Sequence, residues 1–439
     1  MTHTAIQSLA KRGQELAQNP ARIDLDLFLE AAENQFHATK NPVGAFPLNV
    51  AENNVMSPSI MAIFEQVLAS EKMPEWVLKY TSMLGHPEVR ESVAAFMRTY
   101  FKSEAIQADN LAFSAGASGS LEVSSFLLAN PGDLVVIPAP SYPMYTKDFG
   151  IKSGMERYDL QTHYNIADHE SLALVTIPHL EEALLAIEAQ GKVFKILLLT
   201  TPDNPTGSIY SLAQLREIAQ WCMQNKIHLL VNEIYALSQI DIEQTAIADD
   251  YSDTFEFQSF ATIMAEFESE YLHLLYALSK DFAISGMRFG IIHSLNPAFM
   301  QGLGNVNIPH LVSNMTQWLV GEMFKDETFI AHYIKENKRR ITESYLLVIQ
   351  QLKAFNIPYT PSRGSLFVWA DFSQFLKADT QKGEEELWME IFRQTGVLLT
   401  PGMGFQHQKH GLFRIVHTAV PTSDLKVAMQ RLSTFLERR

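Results

Sequence analysis

Lys280 closes the apolar run LHLLYALS at 272–279. An amine buried at the end of such a strand loses solvation, which lowers its pKa toward the range where it attacks carbonyls, so this lysine is a candidate for Schiff-base chemistry. Arg288 follows in SKDFAISGMRFG, after a glycine at 286, and a guanidinium there can hold an anion through two hydrogen bonds. A second anion signal lies in FSAGASGSLEVSSFLLANPGD, 113–133. Small residues at 116–120 let the backbone approach a ligand closely, and Ser118 can cap the helix that follows, whose free N–H groups attract anions. Each feature alone has a plain structural reading: a solvated lysine, a surface salt bridge, a capped helix.

These side chains need elements to position them. Short apolar runs bounded by Gly, Pro or Asn occur at DLVVIP (133–138), FKILLLT (194–200), IHLLVN (227–232), LHLLYALS (272–279) and FGIIHS (289–294). Stretches with apolar spacings of three and four, such as SLAQLREIAQWCMQ (211–224), separate most of them. Continuous rather than alternating apolar strands imply burial on both faces, hence an α/β fold with a mostly parallel sheet between helices. Ligands bind beyond the carboxyl ends of such strands. That rule selects Asn204 in TPDNPTG, Asn232 and Tyr235 in NEIY, and Lys280 in SK. A lysine able to form a Schiff base, combined with a phosphate cradle, points to pyridoxal phosphate.

From about Phe329 the pattern changes to a long polar-faced helix, the strand candidates GSLFVWADF (364–372) and LFRIVHTAV (412–420), and a closing helix. We therefore expect an N-terminal segment, 1–45, packing on a small α+β domain, 329–439, with a large cofactor-binding α/β domain at 46–328. Among the 439 residues, 47% are hydrophobic and 19% charged, which excludes a disordered chain. A single cysteine, Cys222, excludes a disulfide scaffold and reads as a buried small hydrophobe. The formal charge of -15 argues against nucleic acid as a partner. No apolar run is long enough for a membrane span, the N-terminal residues lack a secretory apolar region, and no metal site is expected, so the reading is cytoplasmic.

Together these motifs resemble the fold type I, class I/II pyridoxal-phosphate-dependent aminotransferases, and within them the 1-aminocyclopropane-1-carboxylate synthases and their relatives. The likeness runs from NPVGAFPLNVAENN (41–54) to GLFRIVHTAV (411–420). It implies a sheet of the seven-stranded type and a small α-amino acid as substrate. It also implies that Lys280 condenses with the cofactor aldehyde and shuttles the proton at the substrate α-carbon. Arg288, Ser118 and the backbone at Ala117 would bind the phosphate, and Tyr142 of PAPSYPMY would stack on the pyridine ring. Asn204 and Tyr235 would reach the cofactor O3′, and Arg414 of LFRI would grip the substrate carboxylate. Tyr80 of YTSMLGHPEVR would reach the neighbouring subunit's phosphate, implying a homodimer with shared active sites. Glu52 of VAENN would lie near the substrate as in the cyclopropane-forming synthases, although plain transaminases carry the same tripeptide; a loop glutamate is its alternative.

Three positions depart from the family. Asn232 stands where an aspartate normally pairs with the protonated pyridine nitrogen, and its amide favours an unprotonated ring. Losing one preorganised electrostatic group costs roughly 3 kcal/mol, on the order of a hundredfold in rate. Glu233 is no substitute, because successive strand side chains face opposite ways. Ala277 replaces a serine of the usual S-x-S-K pattern, and Met83 replaces a tyrosine of the synthases. Transamination is the leading expectation. Elimination or cyclisation of a sulfonium amino acid is the alternative, and a cofactor-binding protein without turnover is the reading from another class.

Overall fold

Runs of β-branched residues and leucine with no polar alternation can be stable only between two apolar layers. The computed structural model describes residues 6–19, 22–162, 164–166 and 174–439; positions 1–5, 20 and 21 of the N-terminal segment lie outside the described residues. Its strands are β1 (Phe46–Pro47), β2 (Leu111–Ala115), β3 (Leu134–Ala139), β4 (Glu156–Gln161), β5 (Phe194–Thr200), β6 (His228–Asn232), β7 (Leu272–Ala277), β8 (Phe289–Ser294), β9 (Phe367–Asp371), β10 (Val397–Leu398), β11 (Thr400–Pro401) and β12 (Leu412–Val416). Seven of them form one sheet in the order β2-β8-β7-β6-β5-β3-β4. β8 runs antiparallel to both its neighbours, and the other pairings are parallel.

Every residue of β3, β6, β7 and β8 is buried. The two-residue period of a strand divides them between two apolar layers. Leu229 and Val231 of β6 enter one core and Leu230 the other. The edge strand β4, ERYDLQ, carries no apolar run, so its sequence gave no strand signal; its charged residues protect a sheet edge from further pairing. Helix Leu212–Gln224 starts where its sequence requires, with the Ser211 hydroxyl and Gln214 forming a reciprocal capping box. Cys222 on its inner face is fully buried.

A further core gathers around the antiparallel sheet β11-β12-β9 and the parallel pair β1-β10. Phe46, Leu48 and Ala51 pack in this core. Helix Glu327–Ala354 runs along both, placing Ile330 and Tyr333 in the core of the large sheet and Ile341, Tyr345 and Val348 in the second. Asp326 accepts a hydrogen bond from the Phe329 backbone at 2.8 Å and caps the helix.

Imidazoles are built into the large sheet away from the carboxyl ends of its parallel strands. His228 Nδ1 and His273 Nε2 lie 3.1 Å apart, and His273 Nδ1 lies 2.9 Å from Ser294 Oγ. Burial pushes His228 and His293 down to about 4 and His273 well below the usual imidazole value. The unfolded chain therefore takes up protons near pH 6.5 that the folded chain accepts only at lower pH. Stability is present above that value and is lost as pH falls toward about 4, at up to about 1.4 kcal/mol per pH unit for each such imidazole. Denaturant titrations should show the unfolding midpoint falling through this window, and a His273→Gln variant that still folds should show a shallower fall.

Candidate active site

The parallel strands β5, β6 and β7 end at one side of a cavity of about 310 Å³. Asn232 is the last residue of β6, Lys280 follows β7 within the short helix Leu278–Asp281, and Asn204 lies in the loop after β5. All three line the cavity, as do Ala117, Ser118, Tyr142, Tyr235, Arg288 and Arg414.

Lys280 Nζ donates to the Ala51 carbonyl oxygen at 2.5 Å. Desolvation lowers its ammonium to about 8, against the opposing pull of Glu52 and with repulsion from Arg414, Arg288 and Arg22 acting in the same direction. Glu52 itself is not in the cavity wall; its carboxylate accepts a hydrogen bond from the hydroxyl of Ser285, which is.

Arg414 comes from the middle of β12 and is 4% exposed. Its Nη1 donates to Asn204 Oδ1 at 2.9 Å, its Nη2 to the Asn49 carbonyl at 2.7 Å and, more weakly, to Thr400 Oγ1 at 3.4 Å. These partners are all neutral, and Nε is buried with no partner. A buried cation in this state calls for an anion. Its bond also fixes the Asn204 amide, since Oδ1 faces the guanidinium and Nδ2 remains a donor.

Helix Gly116–Leu128 leaves β2 directly, because Gly116 adopts φ +75°. This corrects the expected role of Ser118 as its cap. Ala115 holds the cap position without a side-chain bond, and Ser118 lies in the first turn, lining the cavity as Asp148 does. Arg288 folds against the same turn, with Nη1 donating to the Ser285 carbonyl at 2.9 Å and Nη2 to that of Ala115 at 3.3 Å. A Cβ on Gly116 would sit 2.3 Å from Arg288 Nη2, so only glycine permits this approach.

The aromatic walls are Tyr142, edge-on to Tyr145 with centroids 5.4 Å apart, and Tyr235, edge-on to Phe367 at 5.3 Å. Burial raises the hydroxyls of both Tyr142 and Tyr235 above the ordinary phenol value. The Asn232 amide is fixed at both ends. Its Oδ1 accepts from the Ile234 backbone N–H at 3.2 Å, a group that can only donate, so Nδ2 faces the Tyr145 hydroxyl at 3.1 Å. Tyr145 in turn lies 2.7 Å from Thr200 Oγ1. Glu233 is bonded to Ser259 Oγ at 2.7 Å and to the Phe260 backbone N–H at 2.6 Å, and it does not line the cavity.

Tyr80 is 90% exposed and lies outside the cavity of its own chain. Sequence reasoning passed over Arg22, Asp24, Tyr145 and Asp148, all of which line the cavity. Arg22 grips Asp24 through two bonds of 2.9 and 2.5 Å, and Asn49 Nδ2 donates to the same carboxylate at 2.6 Å. Tyr145 was within reach, since it shares the PSYPMY stretch with Tyr142. The Arg22–Asp24 contact left no signal, because only the folded chain brings that segment to the cavity.

The family model for aminotransferase class I and II matches residues 47–432. A 1-aminocyclopropane-1-carboxylate synthase of Glycine max is 29% identical over 416 residues, covering 92% of this chain and 83% of the relative. The synthase CMW33 of Cucurbita maxima is 30% identical over 414 residues, covering 92% and 80%. Among solved structures, an archaeal alanine:glyoxylate aminotransferase superposes with TM-score 0.80 at 19% identity, covering 100% of both chains. Aspartate aminotransferase from Thermus thermophilus gives 0.77 at 19% identity, covering 97% of this chain and 99% of the other.

Replacing Gly116 by alanine must displace the Arg288 guanidinium. Titration of the apoprotein followed by visible absorbance should show pyridoxal-phosphate affinity reduced by about tenfold or more, the scale of one lost charge-assisted hydrogen bond. Unchanged affinity would separate Arg288 from phosphate binding.

Proposed function

The chain belongs to the class I and II aminotransferases, which are pyridoxal-phosphate enzymes, and from that premise we propose that it transfers the amino group of a small α-amino acid to a 2-oxo acid. The observation that carries this reading is a pair of side chains in one cavity: an amine poised near neutrality, Lys280, and a buried guanidinium without an anionic partner, Arg414.

The residues present fit the cofactor. Arg288 and the first-turn N–H groups at Ala117 and Ser118 form a place for its phosphate. Tyr142 offers a face for its ring, and the free N–H of Asn204 with the Tyr235 hydroxyl offers donors for O3′. The spare hydrogen of Asn232 Nδ2 suits a ring nitrogen that carries no proton. When bound, the cofactor supplies an electron-withdrawing system that spreads the charge left by bond breaking at the substrate α-carbon.

The chain's own groups do the rest. Arg414, whose hydrogen-bond partners are all neutral, would orient the substrate by its carboxylate. Lys280, unprotonated at and above neutrality in a useful fraction, takes the α-proton and returns it one position away. Tyr142, Tyr235 and Phe405 form aromatic walls beside that transfer.

The synthase relatives favour a second reading, elimination or cyclisation of a sulfonium amino acid, with Glu52 close enough to Lys280 to act on its charge. The neutral Asn232 favours a third, cofactor binding without turnover. We further propose a cytoplasmic homodimer in which the exposed Tyr80 reaches the partner's phosphate site, with the large domain at 46–328, the small domain at 329–439 and residues 1–45 lying on the small domain. No helix among the described residues is long and apolar enough to cross a membrane.

Incubation with amino acids plus 2-oxo acids, and separately with S-adenosylmethionine, distinguishes the readings. Amino-group exchange is expected, reduced by at least about a hundredfold in Lys280→Ala. Release of methylthioadenosine without exchange would overturn the transaminase proposal in favour of the second reading, and inertness toward both sets of substrates would favour the third.

A further inference from the structure

An aspartate at the N-cap of a helix normally gives its carboxylate to the helix's free N–H groups. Asp24 holds that place before the helix Leu25–Glu33 and makes no such bond. Its Oδ1 accepts from Arg22 Nε at 2.9 Å, and its Oδ2 accepts from Arg22 Nη2 at 2.5 Å and from Asn49 Nδ2 at 2.6 Å. The helix thus goes uncapped, and the carboxylate serves the cavity wall, to which Arg22, Asp24 and Asn49 all belong.

Of the charged side chains lining the cavity, Lys280, Arg288 and Arg414 have roles under the proposed function, which leaves Asp148 and the pair Arg22–Asp24. The pair is tied to Arg414 through a single residue. The Asn49 carbonyl accepts from Arg414 Nη2 at 2.7 Å, and the Asn49 amide donates to Asp24. A substrate held by its carboxylate on Arg414 therefore has this pair close by, with Ile23, Pro143, Met403 and Phe405 as apolar lining. The segment is closely fitted at Gly404, where a Cβ would lie 3.4 Å from Ile23 Cδ1 and 3.7 Å from Pro143 Cγ. The charges in this wall are matched. The Asp24 side chain is 2% exposed, so it relies on Arg22 rather than water, and the Arg22 fork is engaged by both carboxylate oxygens. A second carboxylate on the substrate would approach a buried anion whose counterion is already taken, and a cationic centre would meet the guanidinium on the same terms.

We propose that Asp24 determines specificity: by holding Arg22 in a closed pair beside Arg414, it keeps that part of the cavity neutral and selects amino acids with uncharged side chains over those carrying a second carboxylate or a cationic centre. The proposal rests on the assignment of Arg414 to the substrate carboxylate under the proposed function.

The test is calorimetric titration of the cofactor-loaded protein with three carboxylates that carry no amine: butanoate, succinate and 3-(dimethylsulfonio)propanoate. Wild type should bind butanoate most tightly, by about tenfold over succinate. Asp24→Asn keeps the shape of the wall and removes its anion, so Arg22 is left with an unmatched charge. Affinity for succinate relative to butanoate should then rise by about tenfold or more, the scale of one charge-assisted hydrogen bond. Arg22→Ala leaves the opposite charge unmatched and should shift preference by a similar factor toward the sulfonium compound, which keeps the test open if the asparagine variant fails to fold. A merely structural role for the pair would weaken all three ligands alike. Ratios unchanged in both variants, or a wild type that prefers succinate or the sulfonium compound, overturn the proposal while leaving Arg414 as the carboxylate site. No binding of any carboxylate by any of the three proteins overturns the Arg414 assignment, and this proposal with it.

Discussion

Keeping an ammonium group at the end of a buried strand is unfavourable unless something holds its charge, and around Lys280 little does. Its Nζ has the Ala51 carbonyl as hydrogen-bond partner, Glu52 is the carboxylate that supports its charge, and three guanidiniums act against it. The amine is thus kept near neutrality by desolvation first and by repulsion second. The same guanidiniums account for the remaining chemistry. Arg414 has neutral partners and Arg288 donates to two backbone carbonyls, so both retain charge for anions from outside, whereas Arg22 is already neutralised by Asp24.

The fold produces this concentration of cations by bringing distant segments to one edge. β5, β6 and β7 deliver Asn204, Asn232 and Lys280 from adjacent parallel strands, β12 of the second sheet delivers Arg414 to Asn204, and the turn at Gly116 brings a helix N-terminus against Arg288. Helix Glu327–Ala354, shared by both cores, ties the two sheets together. The Asn204–Arg414 bond therefore joins the two halves of the cavity across 210 residues of chain.

Much of this was legible from strand endings. Continuous apolar runs mark β3, β5, β6, β7 and β8, and the polar residues after β5, β6 and β7 do meet in one cavity. The charged edge strand β4 carries no comparable pattern, since an edge needs no double burial, and the two-residue strands β1, β10 and β11 are too short to show one. Ser118 lines the cavity but is not the helix cap, because the positive φ of Gly116 starts the helix earlier than its hydroxyl suggests. Arg22, Asp24 and Asp148 stayed hidden, because nothing in their neighbouring residues records what lies across the cavity.

The central claim is that the amine of Lys280 is the group that bonds the cofactor carbonyl. Borohydride reduction of the cofactor-loaded protein, followed by proteolysis and mass spectrometry, tests it most directly. The account predicts one phosphopyridoxyl adduct, on the peptide containing Lys280, and loss of the visible absorbance on reduction. An adduct on another lysine, or no adduct on a protein that retains full activity, would contradict it.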